Sequence, residues 1–136
     1  MSKPPADHVR VSSRGKEILA QVKRKTGIDH WNTICRVALI RSLANSSKPR
    51  LPDTVDTAIE LDWKTFAGPY QDVLGAMVIH RAAQDGVKLE SREEIGAYFR
   101  AHLERGLASL QSIRNLEELV PIAGPRAHEV ESEMNR

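Results

Sequence analysis

Val9-Arg10-Val11-Ser12-Ser13 runs into Arg14-Gly15-Lys16-Glu17-Ile18-Leu19-Ala20-Gln21-Val22-Lys23-Arg24-Lys25-Thr26, and Gly27-Ile28-Asp29-His30-Trp31-Asn32 then opens a second periodic stretch. The order strand, helix, turn, helix decides how the chain is read. Val9 and Val11 share one face and Arg10 takes the other, so His8 to Ser12 reads as a short strand. A strand this short needs a partner, from another segment or from another subunit. Ser13 is the expected cap of a helix from Arg14 to Thr26, with Glu17 early in it and a stripe of Ile18, Leu19 and Val22. Gly27 stops that helix, since a residue without Cβ enters the left-handed region cheaply. Asp29 is the expected cap of the next, from His30 to Ala44, with Trp31, Ile34, Cys35, Ala38 and Leu39 on its inner face.

Downstream, Asn45 to Pro52 is a polar, proline-bearing connector. Thr54 to Phe66 fits either a strand or a surface loop, and Ala67-Gly68-Pro69 breaks whatever precedes it. Tyr70, Val73, Leu74, Met77 and Val78 recur at helical spacing over Tyr70 to Gln84, and Asp85-Gly86 ends the run. Ser91 with Glu94 forms a capping box for a helix from Arg92 to Leu110, in which Ile95, Phe99, Leu103 and Leu107 recur at spacing four. Gly96 and Gly106 lie within it, where close helix packing is the expected reason for them. Ser112 to Leu119 adds a short final helix. The expected fold is all-α, mainly helical, with a possible short N-terminal strand, and ribbon-helix-helix-like. Residues 8–120 form one domain between a flexible segment 1–7 and a disordered tail 121–136.

Charge is divided unevenly along the chain. Residues 1–50 carry a net +8 and residues 51–136 a net −6, so the overall +2 hides a basic half and an acidic half. The basic half suits phosphate; the acidic half suits self-association or internal neutralisation. Aromatic residues make up 4% of the chain, which disfavours single-strand binding by stacking platforms. No secretory signal or bilayer-length apolar run is present, so a cytosolic protein with no membrane partner is expected.

Catalytic chemistry finds little to stand on. Cys35 has no cysteine partner for a disulfide or a cluster and reads as a small buried hydrophobe. The histidines lie in separate elements without metal-ligand spacing, and there is no phosphate-cradling GxxxxGK loop. His102 with Glu94 and Glu104 reads as a surface grouping. Asp53, Asp56, Glu60 and Asp62 would be needed for a divalent-metal nuclease, but they sit in a proline-flanked polar stretch and read as solvated surface. No enzyme, no metal and no cofactor is therefore expected.

For duplex DNA the candidates are Arg10, Arg14, Lys16, Lys23, Arg24 and Lys25, with Arg36 and Arg41 further on. Lys16 and Lys23 are seven apart and share one helix face, where they can follow phosphates. Arg10, opposite the buried face of a ribbon, is the one hint of groove insertion. Trp31 reads as core.

The run Thr26 to Arg36, preceded by Lys23-Arg24-Lys25, closely resembles the corresponding stretch of the DndE family, small proteins of the bacterial system that places sulfur in the DNA backbone. The resemblance continues in Leu61-Asp62-Trp63-Lys64-Thr65-Phe66 with Gly68 and Tyr70, and again in Phe99-Arg100-Ala101-His102-Leu103-Glu104-Arg105-Gly106. It implies a compact helical homotetramer, related to ribbon-helix-helix regulators, that binds double-stranded DNA and prefers nicked duplex without cutting it. It further implies work beside a cysteine desulfurase, an iron-sulfur protein and an ATPase-like partner. Lys16, Lys23 and Lys25, with Arg24 and Arg14 beside them, are the positions the resemblance assigns to DNA. The main rival is a ribbon-helix-helix transcriptional regulator reading one operator through Arg10 and its neighbours.

Overall fold

The computed structural model describes residues 3–51 and 55–119. The alternation at Val9-Arg10-Val11 makes β1 (His8–Val11), with both valines fully buried and His8 and Arg10 turned outward. Its partner comes from the same chain. β2 (Ile59–Asp62) runs antiparallel to it, with Val9 opposite Leu61 and Arg10 opposite Glu60. Two four-residue strands are too little to stand alone, and this ribbon persists because its inner face lies on the helical core. Of the stretch Thr54 to Phe66, which fitted either strand or loop, Ile59–Asp62 is strand and helix follows at once.

α1 (Ser13–Thr26) begins one residue earlier than the sequence suggests. Ser12, not Ser13, is its cap: the extended Ser12 backbone aims its Oγ at the Gly15 N–H, 2.9 Å away. At the other end Gly27 is left-handed (φ 77°) and its N–H returns to the Lys23 carbonyl, as its lack of Cβ permits. α2 (Trp31–Ala44) starts without the expected Asp29 cap. His30 holds the cap position and makes no side-chain cap bond; the Asn32 side chain accepts from the Thr33 N–H instead.

Asp62 ends β2 and caps α3 (Trp63–Ala67) by accepting from the Thr65 N–H at 2.8 Å. A 3-10 turn over Gly68–Tyr70 leads into α4 (Gln71–Gln84). α5 (Arg92–Ala108) has half of the expected capping box. Ser91 Oγ accepts from the Glu94 N–H, but the Glu94 carboxylate turns to the Lys88 N–H rather than back to Ser91. The final helix expected over Ser112 to Leu119 is a 3-10 turn at Leu116–Glu118, capped by Asn115.

The described chain is mainly helical with a short two-stranded ribbon, and β1, α1 and α2 follow one another in ribbon-helix-helix order. Its core is one cluster to which both strands and α1 to α5 contribute. Trp63, Phe66 and Phe99 meet at its centre with ring centroids 5.5 to 5.6 Å apart. Trp31, expected in the core, is half-buried against its edge. The two glycines of α5 divide. Gly106 is where α5 and α2 touch: a Cβ there would lie 1.8 Å from the Ala38 carbonyl oxygen. Gly96 has no such reason among the described residues, none of which stands within 4 Å of its Cβ position.

Within the segment 1–7, expected to be loose, Pro5 is buried and the Asp7 carbonyl accepts from the Trp63 N–H at 3.1 Å. The expected tail, 121–136, lies outside the described residues. Among the described residues no helix is long and apolar enough to cross a membrane.

Candidate nucleic-acid interface

The periodicity of α1 sorts its residues cleanly. Gly15, Ile18, Leu19 and Val22 are buried, which leaves Arg14, Lys16, Lys23, Arg24 and Lys25 exposed. Lys16 and Lys23 share one flank, about 10 Å apart along the axis; Arg14 and Lys25 share the opposite flank, about 16 Å apart; Arg24 stands on the crest between them. None of these five side chains makes a hydrogen bond or ion pair among the described residues. Three of them close the last turn of α1, where the helix dipole favours cations.

Arg10 differs. It lies on the outer face of the ribbon with its Nε 3.7 Å from Glu60, a carboxylate that also stands 3.5 Å from His8. Its charge is therefore partly countered, and it belongs to another element than the lysines.

The remaining candidates are occupied elsewhere. Arg36 donates to the Phe66 carbonyl at 2.9 Å and lies over the Tyr70 ring. Arg41 donates to the Glu118 and Leu119 carbonyls and to Ser109. Arg81 and Arg105 likewise hold the carbonyls of Leu43, Asn45 and Ser47 and of Ser42, Asn45 and Ser47, closing the C-terminus of α2 and the connector after it. These partners lie tens of residues away, so no local pattern identifies such arginines as structural.

Carboxylates hold the start of α1. Glu104 accepts from the Ser12 N–H at 3.0 Å and from its hydroxyl at 2.5 Å, and Asp56 accepts from the N–H and hydroxyl of Ser13. The two Ser13 bonds keep the Asp56 carboxyl below its usual range. The acidic set is thereby dispersed: Asp56 serves α1, Glu60 the ribbon and Asp62 the α3 cap, while Asp53 lies outside the described residues. Among the described residues, no group of three or more His, Cys, Asp or Glu is placed to hold a metal.

Two buried groups complete the account. Burial, with the Glu104 charge adding to it, pushes the Cys35 thiol up to about 12, so it is a packed thiol. His102 is not at the surface with Glu94 and Glu104; it is fully buried. Ser42 Oγ accepts from Arg105 Nε at 2.8 Å and shares a second hydrogen bond, also 2.8 Å long, with His102 Nδ1. Burial first, and the Arg105 and Arg81 charges after it, lower its pKa to about 4.

One apolar surface stands apart. Ile40, Tyr70, Val73 and Met77 are between 38% and 53% exposed and line a groove of about 410 Å³ between α2 and α4. The helical spacing through Tyr70, Val73, Leu74, Met77 and Val78 therefore splits, with Leu74 and Val78 inward and the other three outward.

Fold and surface together define a small, mainly helical strand-helix-helix protein whose distinguishing chemistry is a helix-borne ridge of unpaired cations. The family pattern described as DNA sulphur modification protein DndE matches residues 8–118, and the chain belongs to the DndE family. It is similar to the crystal structure of DndE from Escherichia coli B7A involved in DNA phosphorothioation modification, with 27% identity over 80% of this chain and 99% of that one and a TM-score of 0.62. A DndE G21/24K mutant involved in DNA phosphorothioation has the same fold, with 23% identity over 79% of this chain and 98% of that one and a TM-score of 0.57. No curated protein matches the chain.

Proposed function

We propose that this protein is a DNA-binding subunit of the bacterial DNA phosphorothioate modification system, which holds double-stranded DNA, nicked duplex by preference, without cutting it. Membership of the DndE family supports the pathway. The observation that carries the binding is the sorting of cations: Arg36, Arg41, Arg81 and Arg105 are taken up by carbonyls, whereas Arg14, Lys16, Lys23, Arg24 and Lys25 are exposed on α1 with no partner among the described residues. Side chains on both flanks and the crest of one helix suit phosphates on a duplex backbone. Arg10 at the ribbon contributes from the side.

The chain assembles as a homotetramer and works beside the other proteins of the sulfur-modification system. The exposed groove of Ile40, Val73 and Met77 supports assembly, because an apolar patch kept at the surface of a small protein favours association. The regulator reading is disfavoured by Glu60, which sets a carboxylate beside the one arginine placed to read a groove.

Competition binding to nicked and intact duplexes of several sequences, at two salt concentrations, tests the reading. The expected result is a preference for the nick that ignores sequence and weakens with salt, with a log-log slope of about −0.9 per phosphate contact. A strong preference for one intact sequence would make the protein a regulator instead.

A further inference from the structure

A second surface bearing several arginines lies between β1 and the first half of α5. It is a groove of about 460 Å³, rimmed by His8, Arg10, Arg92 and Arg100, with Gly96 in its wall. Its arginines are unlike those that staple the fold. Arg105 alone makes five hydrogen bonds, to Ser42, Asn45 and Ser47. Among the described residues Arg92 has only Asp7 at 3.5 Å and Arg10 only Glu60 at 3.7 Å, both beyond hydrogen-bond length. Arg100 donates once, to the Asp56 carbonyl, and its Nε is buried with no acceptor among the described residues.

Gly96 gives an independent indication. A glycine within a helix costs about 1 kcal/mol relative to alanine, and here no neighbour among the described residues requires it. What its bare backbone offers is room on the groove wall.

We propose that this groove binds a phosphate monoester, the group that ends a DNA strand and that a free mononucleotide carries. The terminal oxygens of a monoester can accept from several guanidinium forks at once, and a concave site of this size takes a strand end or a nucleotide. The convex ridge of α1 suits the diesters of a continuous backbone. Asp7 and Glu93 also stand in the groove and Glu60 faces Arg10 and His8 at its rim, so the three arginines are matched in charge and selectivity comes from directed donors rather than from net charge. Only the strand-end source rests on the proposed DNA-binding function.

The full-length protein is titrated with nicked duplexes of one sequence carrying either phosphate or hydroxyl at the nick, with the intact duplex, and with deoxyadenosine monophosphate against deoxyadenosine. The phosphate-ended nick should bind about tenfold tighter than the hydroxyl-ended one. Arg92→Gln and Gly96→Ala should each bring the two ends towards parity with intact-duplex affinity unchanged. Gly96→Ala has room and favours the helix, so failure to fold does not account for its effect. Equal affinity for both ends together with no uptake of the monophosphate overturns the groove, and persisting intact-duplex binding then leaves the α1 ridge standing. Monophosphate uptake that Arg92→Gln abolishes, without any duplex binding, upholds the groove with the free nucleotide as its source and removes the DNA reading.

Discussion

At the scale of single residues, the two glycines of α5 make opposite predictions from one sequence pattern. Gly106→Ala must push α5 off α2, because the new methyl would lie 1.8 Å from the Ala38 carbonyl. We expect a loss of roughly 3 kcal/mol in urea unfolding, the upper part of the usual overpacking range. Gly96→Ala should instead gain about 0.5 to 1 kcal/mol, since nothing obstructs it. Helical position alone does not separate the two cases; the neighbour across the interface does. His102 makes a pH prediction. The unfolded chain protonates this imidazole near its ordinary 6.5, whereas the folded protein keeps it neutral down to about 4. Between those values the unfolded state binds more protons, so stability falls as pH drops through the window and levels off below it. The full loss is about 3 kcal/mol, since each tenfold difference in proton affinity between the two states is worth roughly 1.4 kcal/mol. Urea midpoints at about pH 7 and about pH 4.5 should show most of it, and the difference should shrink in His102→Gln. Asp56, Asp62 and Glu118, held below the ordinary carboxylate range by their hydrogen bonds, surrender their share only at lower pH.

At the scale of elements, α1 carries both the most legible and the least legible parts of the molecule. Its apolar stripe, its Gly27 stop and its exposed cations follow from local spacing, and the structure places each accordingly. Its beginning does not. Ser12 and Ser13 are equivalent as local caps, and the choice between them is made by Glu104 and Asp56, carboxylates 92 and 43 residues away. Ser12→Ala removes the Gly15 cap bond and the hydroxyl partner of Glu104, and should cost about 2 kcal/mol in thermal or urea unfolding. On the exposed flank, Lys16→Gln with Lys23→Gln should leave stability within about 0.5 kcal/mol. It should also flatten the salt dependence of duplex binding by about 1.8 in the log-log slope. An unchanged slope would take these two lysines out of the interface. β2 and α3 were hidden for another reason. Four strand residues and five helical ones offer too few periods to choose between strand and loop, and Asp62 closes one and caps the other. The arginines that staple the fold were hidden by distance, since Arg41, Arg81 and Arg105 look like surface cations until the carbonyls they hold are brought to them.

At the scale of the whole molecule, the division into basic and acidic halves becomes spatial only in part. Most of the positive charge of the first half that stays unpaired rides on α1, while Glu104 and Asp56 of the second half are folded against the start of that helix. The apolar groove between α2 and α4 predicts how the chain associates. Its solution mass should be near that of about four chains, and Val73→Glu with Met77→Glu should yield smaller species in light scattering while the far-ultraviolet helical signal persists. A tetramer indifferent to this pair would move the contact elsewhere. The contacts at the start of α1 also set an order in time. β1 waits for a strand that ends at Asp62, and the start of the helix that follows it waits for Glu104, so both are completed only by residues far downstream. A chain cut off before Glu104 would carry the lysines of α1 on a helix whose start is unsecured.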